Sequence, residues 1–337
     1  MTVALVTGGT GFIGAHVVRA LLDEGDVDVR TLVRAGSDTR NLDGLDVERV
    51  AGDLADAASL RAAVAGANVV FHVAARYELA RRDQDQTMRV NVGGTVALMR
   101  AALEAGVDRV VYTSSTAAVG AAGRDGAPAD ESQWLRPEDA AGPYEASKLE
   151  AERAVHRLIA NEGLPAVVVN PTAPIGPLDW RPTPTGRLIR DAALGRLPGY
   201  MRSAGLNIAD VRDVARGHVL AWRRGRIGER YILGHGEGNL TMREIVGRAA
   251  AAGGRRPPRL PIPYLVALAA AHIDERLISG LLGRPPRAPV AGVRLARRRL
   301  WFSIDKATRE LGLPQSSLDA AFRDAVAQYL PDSPRSA

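Results

Sequence analysis

The chain has 337 residues, 46% of them apolar, a net charge of +6 and no cysteine. That is enough for one large domain with a smaller partner, and it excludes disulfides, thiolate nucleophiles and cysteine-held zinc. Aromatic residues make up only 4% and are scattered, so a base-stacking surface for nucleic acid is not expected.

VALVTG (3–8) is an apolar run ending in glycine and reads as a strand. FIGAHVVRALLDEG (12–25) spaces Phe12, Val17, Val18, Leu21 and Leu22 along one helix face, with Gly25 to end it. VDVRTLVR, VERVAGD, NVVFHVA, DRVVYTSS and LPAVVVNP follow as strands separated by helical segments. The longest of these segments are QDQTMRVNVGGTVALMRAALEAG and GPYEASKLEAERAVHRLIANEG. Short apolar strands alternating with helices predict an α/β fold, a doubly wound parallel sheet covered on both faces. After Pro171 the pattern changes. PTAPIGPLDWRPTPTG reads as a loop, followed by a helix near Leu188, a strand GERYILG, a helix from Thr241 and the stretch GGRRPPRLPIPY. The expected division is a sheet domain over 1–171, to which about 206–235 return, and a smaller, mainly helical substrate-binding region over 172–330, interleaved with it.

TGGTGFIG (7–14) crowds Gly8, Gly9, Gly11 and Gly14 into a strand-to-helix junction, the context that a dinucleotide fingerprint requires. Gly8 can make the tight turn, Gly11 lets the backbone approach a pyrophosphate, and Gly14 lets the helix pack on the strand. Helix N-terminal amides and the helix dipole favour the anion, which makes Thr10, Phe12 and Ile13 further cofactor-binding candidates. No Gly-Lys-Ser/Thr follows, so this is not an ATP P-loop. NAD sites place an acid about 20 residues beyond the glycines to bond the ribose hydroxyls. Arg34 stands there instead, with Ser37 and Arg40 nearby. A guanidinium suits a 2′-phosphate, so NADP is the expected cofactor. If Arg34 merely stacks on the adenine, NAD is the alternative.

YEASK puts Tyr144 and Lys148 four apart on one helix face. A free phenol has a pKa of about 10, and a neighbouring ammonium is expected to lower it. The phenol can then exchange a proton with a substrate oxygen while a nicotinamide exchanges a hydride with the carbon. Lys148 can also bind the cofactor ribose, and Ser115, at a strand end, can bond the same substrate oxygen. The six histidines show no paired metal-ligand spacing, so no metal is expected. His16 and His156 read as surface or packing residues and His72 as structural.

With this turn, AGDL, HVAA, NVGGT, YTSSTAAVG, YEASK and NPTAPIGP resemble the motifs of the short-chain dehydrogenase/reductase superfamily, in its extended branch, along most of the chain. The resemblance implies a Rossmann-type sheet domain. It implies cofactor contacts from Asp53 and Leu54 beside the adenine, from Ala74 and Ala75 after the fourth strand, from Asn91, and from Pro171 and Thr172 along the nicotinamide. It also implies Ser115, Tyr144 and Lys148 as the catalytic set, with Ser115 chosen over Ser114 and Thr116 because it lies five residues before Gly120. LVRAGSDTRNLDGLDVERVAGDL, RPTPTGRLI, RGRIGERYILG and LARRRLWFS further resemble the bacterial hopanoid-associated sugar epimerase group, and after it the dihydroflavonol-reductase-like proteins. Arg76 stands where that group is expected to carry an acid, and Asp210 and Arg212 replace a His and an Asp. These three positions are expected to border the substrate pocket. Arg187, Arg190 and Arg202 are candidate anion contacts. By analogy with extended members, the helices carrying Asn91 and Tyr144 would form a homodimer interface.

The principal reading is an NAD(P)-dependent oxidoreductase that interconverts a ketone and a secondary alcohol on a small or lipid-like substrate. The alternatives are a sugar or sugar-nucleotide epimerase or dehydratase with transient cofactor reduction, and a non-catalytic dinucleotide-binding protein. An intact Ser115, Tyr144 and Lys148 argue against the last. The chain starts without a signal-like segment and has no run of about 18 apolar residues, so a cytoplasmic location without a membrane span is expected. Positive charge concentrates from Arg255 to Glu310. There the apolar stretch 260–283 precedes an arginine-rich run that includes Arg297, Arg298 and Arg299. Weak peripheral contact with an anionic membrane is one expectation for it, and packing within the smaller region is the other.

Overall fold

The computed structural model describes residues 1–75, 84–123, 126–275, 290–295 and 297–330. The chain opens with β1 (Thr2–Thr7), α1 (Phe12–Leu22), β2 (Val27–Val33), β3 (Glu48–Ala51), α2 (Ala57–Val64) and β4 (Val69–His72). Next come α3 (Gln84–Met88), a π-helical turn (Arg89–Gly94), α4 (Thr95–Glu104) and β5 (Arg109–Thr113). Then follow α5 (Pro143–Glu162), β6 (Ala166–Pro171), β7 (Ala173–Ile175) and α6 (Pro184–Ala193).

The strands β1 to β6 are joined by β10 (Arg230–Leu233) in a seven-stranded parallel sheet, ordered β3-β2-β1-β4-β5-β6-β10. Alternate side chains feed opposite faces, and both faces are dry. Ala4, Val6, Val69, Phe71 and Val169 enter one core; Leu5, Val70, Tyr112 and Val168 enter the other. This explains why the strands read as continuous apolar runs. Phe71 alone, fully buried, stabilises the fold by about 2–3 kcal/mol. The chain steps outward from β1 in both directions, so the carboxyl ends of β1 and β4 flank the crevice where such sheets take ligands.

β8 (Gly199–Met201), β9 (Gly205–Asp210) and α7 (Val211–Arg224) precede β10. α7 leaves β9 and packs against α1, under the large sheet. After β10 come β11 (Asn239–Thr241), α8 (Met242–Ala252), β12 (Leu260–Ile262), α9 (Tyr264–Ile273), α10 (Val290–Leu295), β13 (Arg299–Leu300), α11 (Asp305–Leu311) and α12 (Leu318–Ala327). α6, α8 and α12 share a third core built on Ile189, Ile245 and Phe322. Alongside these helices the smaller region carries short strands: β9 pairs with β7, β11 and β13, and β12 with β8. α8 begins at Thr241 because Thr241 and Glu244 form a reciprocal capping box.

Candidate active site

A cavity of about 810 Å³ runs along the carboxyl ends of the large sheet and continues under the smaller region. Its first wall is the glycine turn. Gly8 holds φ +77°, and a side-chain carbon there would sit 2.8 Å from the Ala74 backbone. One on Gly14 would lie 2.1 Å from the Gly8 carbonyl oxygen, so α1 could not close on β1. Gly11 Nα donates to that carbonyl at 2.9 Å, and Gly11 caps a helix whose first turn holds no acid. These are the features an anionic pyrophosphate needs, so the residues present fit a dinucleotide.

Fifteen of the candidate residues line this one cavity: Gly8, Thr10, Gly11, Phe12, Ile13, Gly14, Arg34, Asp53, Leu54, Ala74, Ala75, Ser115, Tyr144, Pro171 and Thr172. Arg34 is exposed at the end of β2, beside Ser37, and no carboxylate among the described residues pairs with it. Arg40, by contrast, is tied to Asp38 at 3.0 Å. Asp53 Oδ1 accepts from Ala55 Nα at 2.9 Å.

Asn91 and Lys148 stand behind the wall instead. Asn91 Nδ2 donates to Ser147 Oγ at 2.9 Å, which ties the π-helical turn to α5. Lys148 Nζ donates to the Thr113 carbonyl at 2.9 Å, below the strand end that carries Ser115. Tyr144 is half-buried in the cavity wall, with its hydroxyl hydrogen-bonded to Ser115. Desolvation pushes the phenol up to about 12, and the Ser115 bond only partly offsets this. The expected lowering by Lys148 is therefore not met: its ammonium is turned toward the backbone. Burial in turn lowers Lys148 to about 8, against the pull of Glu152.

This has a consequence for stability. An unfolded lysine near 10.5 binds more protons than the folded Lys148 between pH 8 and 10.5. Stability contributed at this position therefore rises with pH across that window and is flat, at its lowest, below it. Relative to Lys148→Met, the wild-type chain should gain about 2 kcal/mol between pH 7 and pH 10 in urea unfolding. An unchanged difference would show that Lys148 is not titrating in a buried setting.

Behind Ser115 lies a charge network that sequence reading missed. Ser114 Oγ donates to Glu152, which also accepts from Asn170 Nδ2 at 2.9 Å. Asn170 Nδ2 donates to the Ser115 carbonyl at 3.1 Å. Arg230 Nε lies 2.5 Å from Glu152 Oε1, with both groups buried. The Arg230 guanidinium also donates to the carbonyls of Glu131 and Gln133 and covers the Trp134 ring at 4.0 Å. Both serines line the cavity, but the Ser114 hydroxyl is committed to Glu152 while that of Ser115 meets Tyr144. The only hint in the sequence is the spacing, since Glu152 lies one helical turn beyond Lys148.

His72 is structural, as read. It bridges Thr7 Oγ1 at 2.7 Å and Thr95 Oγ1 at 2.9 Å, and burial lowers it to about 3, so it stays neutral. Asp210 and Arg212 do not border the cavity. Asp210 caps α7 and takes a bidentate contact from Arg212, which also reaches Asp324 on α12. This pairing explains the joint departure without a substrate. Arg187, Arg190 and Arg202 do not line the cavity either, and Arg190 is paired with Asp191. Arg76 lies outside the described residues. Among the described residues, the cation at the far end is Arg298, held by the Asp139 carbonyl and 3.9 Å from Glu145. Beside it stand Leu188, Leu206, Met242, Leu295 and Leu300, from segments far apart in the chain, with Thr183 and Thr185 among them.

Residues 4–234 match the NAD dependent epimerase/dehydratase family. The chain belongs to that family. Like other members, it is an NAD(P)-dependent enzyme of the extended short-chain dehydrogenase/reductase type. Within the family it is 43% identical to a Synechocystis protein named for dihydroflavonol 4-reductase, over 95% of this chain and 92% of that one. It is 39% identical to sterol demethylase protein B of Methylococcus capsulatus, over 96% and 97%. The crystal structure of gox2253 superposes with a TM-score of 0.85 at 41% identity, covering 98% of both chains. Family membership explains the sheet and the glycine turn.

Proposed function

We propose that this enzyme is an NADPH-dependent reductase of a bulky, lipophilic ketone. The observation that carries the reading is the far end of the cavity. Leu188, Leu206, Met242, Leu295 and Leu300 line it together with Thr183 and Thr185, and its one arginine among the described residues, Arg298, is already engaged, a lining that favours an uncharged ring system over a sugar diphosphate. The relative named sterol demethylase protein B is in keeping with such a substrate. The cofactor supplies the hydride when bound. Ser115 and Tyr144 hold the carbonyl oxygen from one side, and Tyr144 gives it a proton as charge develops there. Lys148 holds its proton one layer behind, next to the strand end that orients Ser115.

Arg34 supports NADPH over NADH, because an exposed guanidinium at the end of β2, paired with no carboxylate among the described residues, matches a 2′-phosphate. Arg34→Asp should weaken NADPH roughly 10–100-fold relative to NADH. Titration of both cofactors into both proteins measures this, and an unchanged ratio would remove Arg34 from that role.

The deciding assay follows NADPH absorbance with polycyclic ketones and, separately, with nucleotide sugars. Stoichiometric NADPH consumption by a ketone is the expected result. Interconversion of a nucleotide sugar with no net change in cofactor would replace the reading with the epimerase one.

A further inference from the structure

We propose that the outer face of α9, with the arginines at its start, seats this protein on an anionic phospholipid bilayer beside the far end of the cavity. α9 has the sequence YLVALAAAHI, and only Ala271 is buried, against Val290 and Val293 of α10. Its outer side is apolar throughout. Leu265, Val266 and Ile273 are 74%, 59% and 54% exposed, with exposed Ala269 and Ala270 between them. At helical spacing these form one continuous stripe, and Leu260, 60% exposed on the preceding strand, extends it. An ordinary surface helix places charged residues on that side, and a contiguous apolar patch marks an interaction surface.

The charge beside the stripe selects the occupant. Arg255, Arg256 and Arg259 are exposed just before Leu260, and the Arg297 guanidinium lies 5.2 Å above the Tyr264 ring at the first turn of α9. No acid occurs between Arg255 and Ile273. At the far end Glu275 is turned inward to accept from Val290 Nα at 2.7 Å. An apolar helix face rimmed by arginine fits the acyl and headgroup layers of an anionic bilayer. α9 is far shorter than the bilayer core, so it would lie in the interface. No described helix is long and apolar enough to cross. α10, which packs on the inner side of α9, lends Gly292 and Leu295 to the cavity wall. A bilayer at α9 would therefore stand one helix away from the apolar end of the cavity.

Vesicle binding needs no substrate, so this surface stands or falls apart from the ketone reading. The full chain is sedimented with phosphatidylcholine vesicles and with vesicles containing phosphatidylglycerol, at low and high salt. Pelleting with the anionic vesicles alone is expected, reduced by salt. The double variant Leu265→Glu, Val266→Glu should pellet at least tenfold less while keeping its melting temperature and NADPH affinity. Arg256→Gln with Arg259→Gln should weaken pelleting with the anionic vesicles and make what remains less sensitive to salt. Absent pelleting, or equal pelleting with both vesicles, overturns the proposal. So does light scattering that shows the glutamate variant turning a dimer into a monomer, because a second copy would then be the occupant.

Discussion

Tyr144→Phe should lower kcat by about 10²- to 10⁴-fold, the range supplied by a positioned acid–base group. The substitution removes one oxygen from a half-buried ring in the cavity wall whose hydroxyl bonds Ser115. Packing of α5 is otherwise untouched, and the cofactor end of the cavity is built from other segments. NADPH affinity and melting temperature should therefore stay near wild type. The combination is the informative part. A rate within tenfold of wild type would mean that another group protonates the substrate. A fall in rate accompanied by lost NADPH binding would point to a damaged site rather than a missing proton.

Arg230→Leu should cost about 3–5 kcal/mol of stability, because it leaves the Glu152 carboxylate buried without its counterion. The effect should reach the active site as well. Glu152 holds Ser114 and Asn170, and Asn170 holds the carbonyl of Ser115. Urea unfolding of Arg230→Leu, Glu152→Leu and the double variant gives a cycle. The double variant should recover much of the loss, since two apolar groups leave no orphaned charge. A single-variant cost below about 1 kcal/mol would show that solvent reaches the pair.

The sheet was legible because its physics is local. Each strand is an apolar run closed by a turn residue, and Gly8 and Gly14 stand where a side chain would collide with backbone. The cofactor end was legible for the same reason: it is made of short motifs at strand ends. The far end is different. Leu188, Leu206, Met242 and Leu300 meet only through tertiary packing, and nothing in their local spacing distinguishes them from core residues. Asp210 and Arg212 were misplaced because a cap and its salt bridge look, in one dimension, like a pair of polar pocket residues. The tyrosine's acidity was misjudged because spacing places Lys148 on the same face without saying where its ammonium points. Burial, invisible in the spacing, dominates both groups.

The place of β10 at the end of the large sheet has a consequence during synthesis. When residues 1–171 have left the ribosome, six strands are available and β6 is a bare edge. Its Val167, Val168 and Val169 offer an open ladder of the kind that recruits other chains. That edge closes only when Arg230–Leu233 emerge, after the chain has already laid down β7, β8 and β9 of the smaller region. The same strand brings Arg230, so Glu152 also waits for its partner until then. The nascent chain thus carries an unpaired β6 and an unmatched carboxylate through the same interval, and one strand satisfies both.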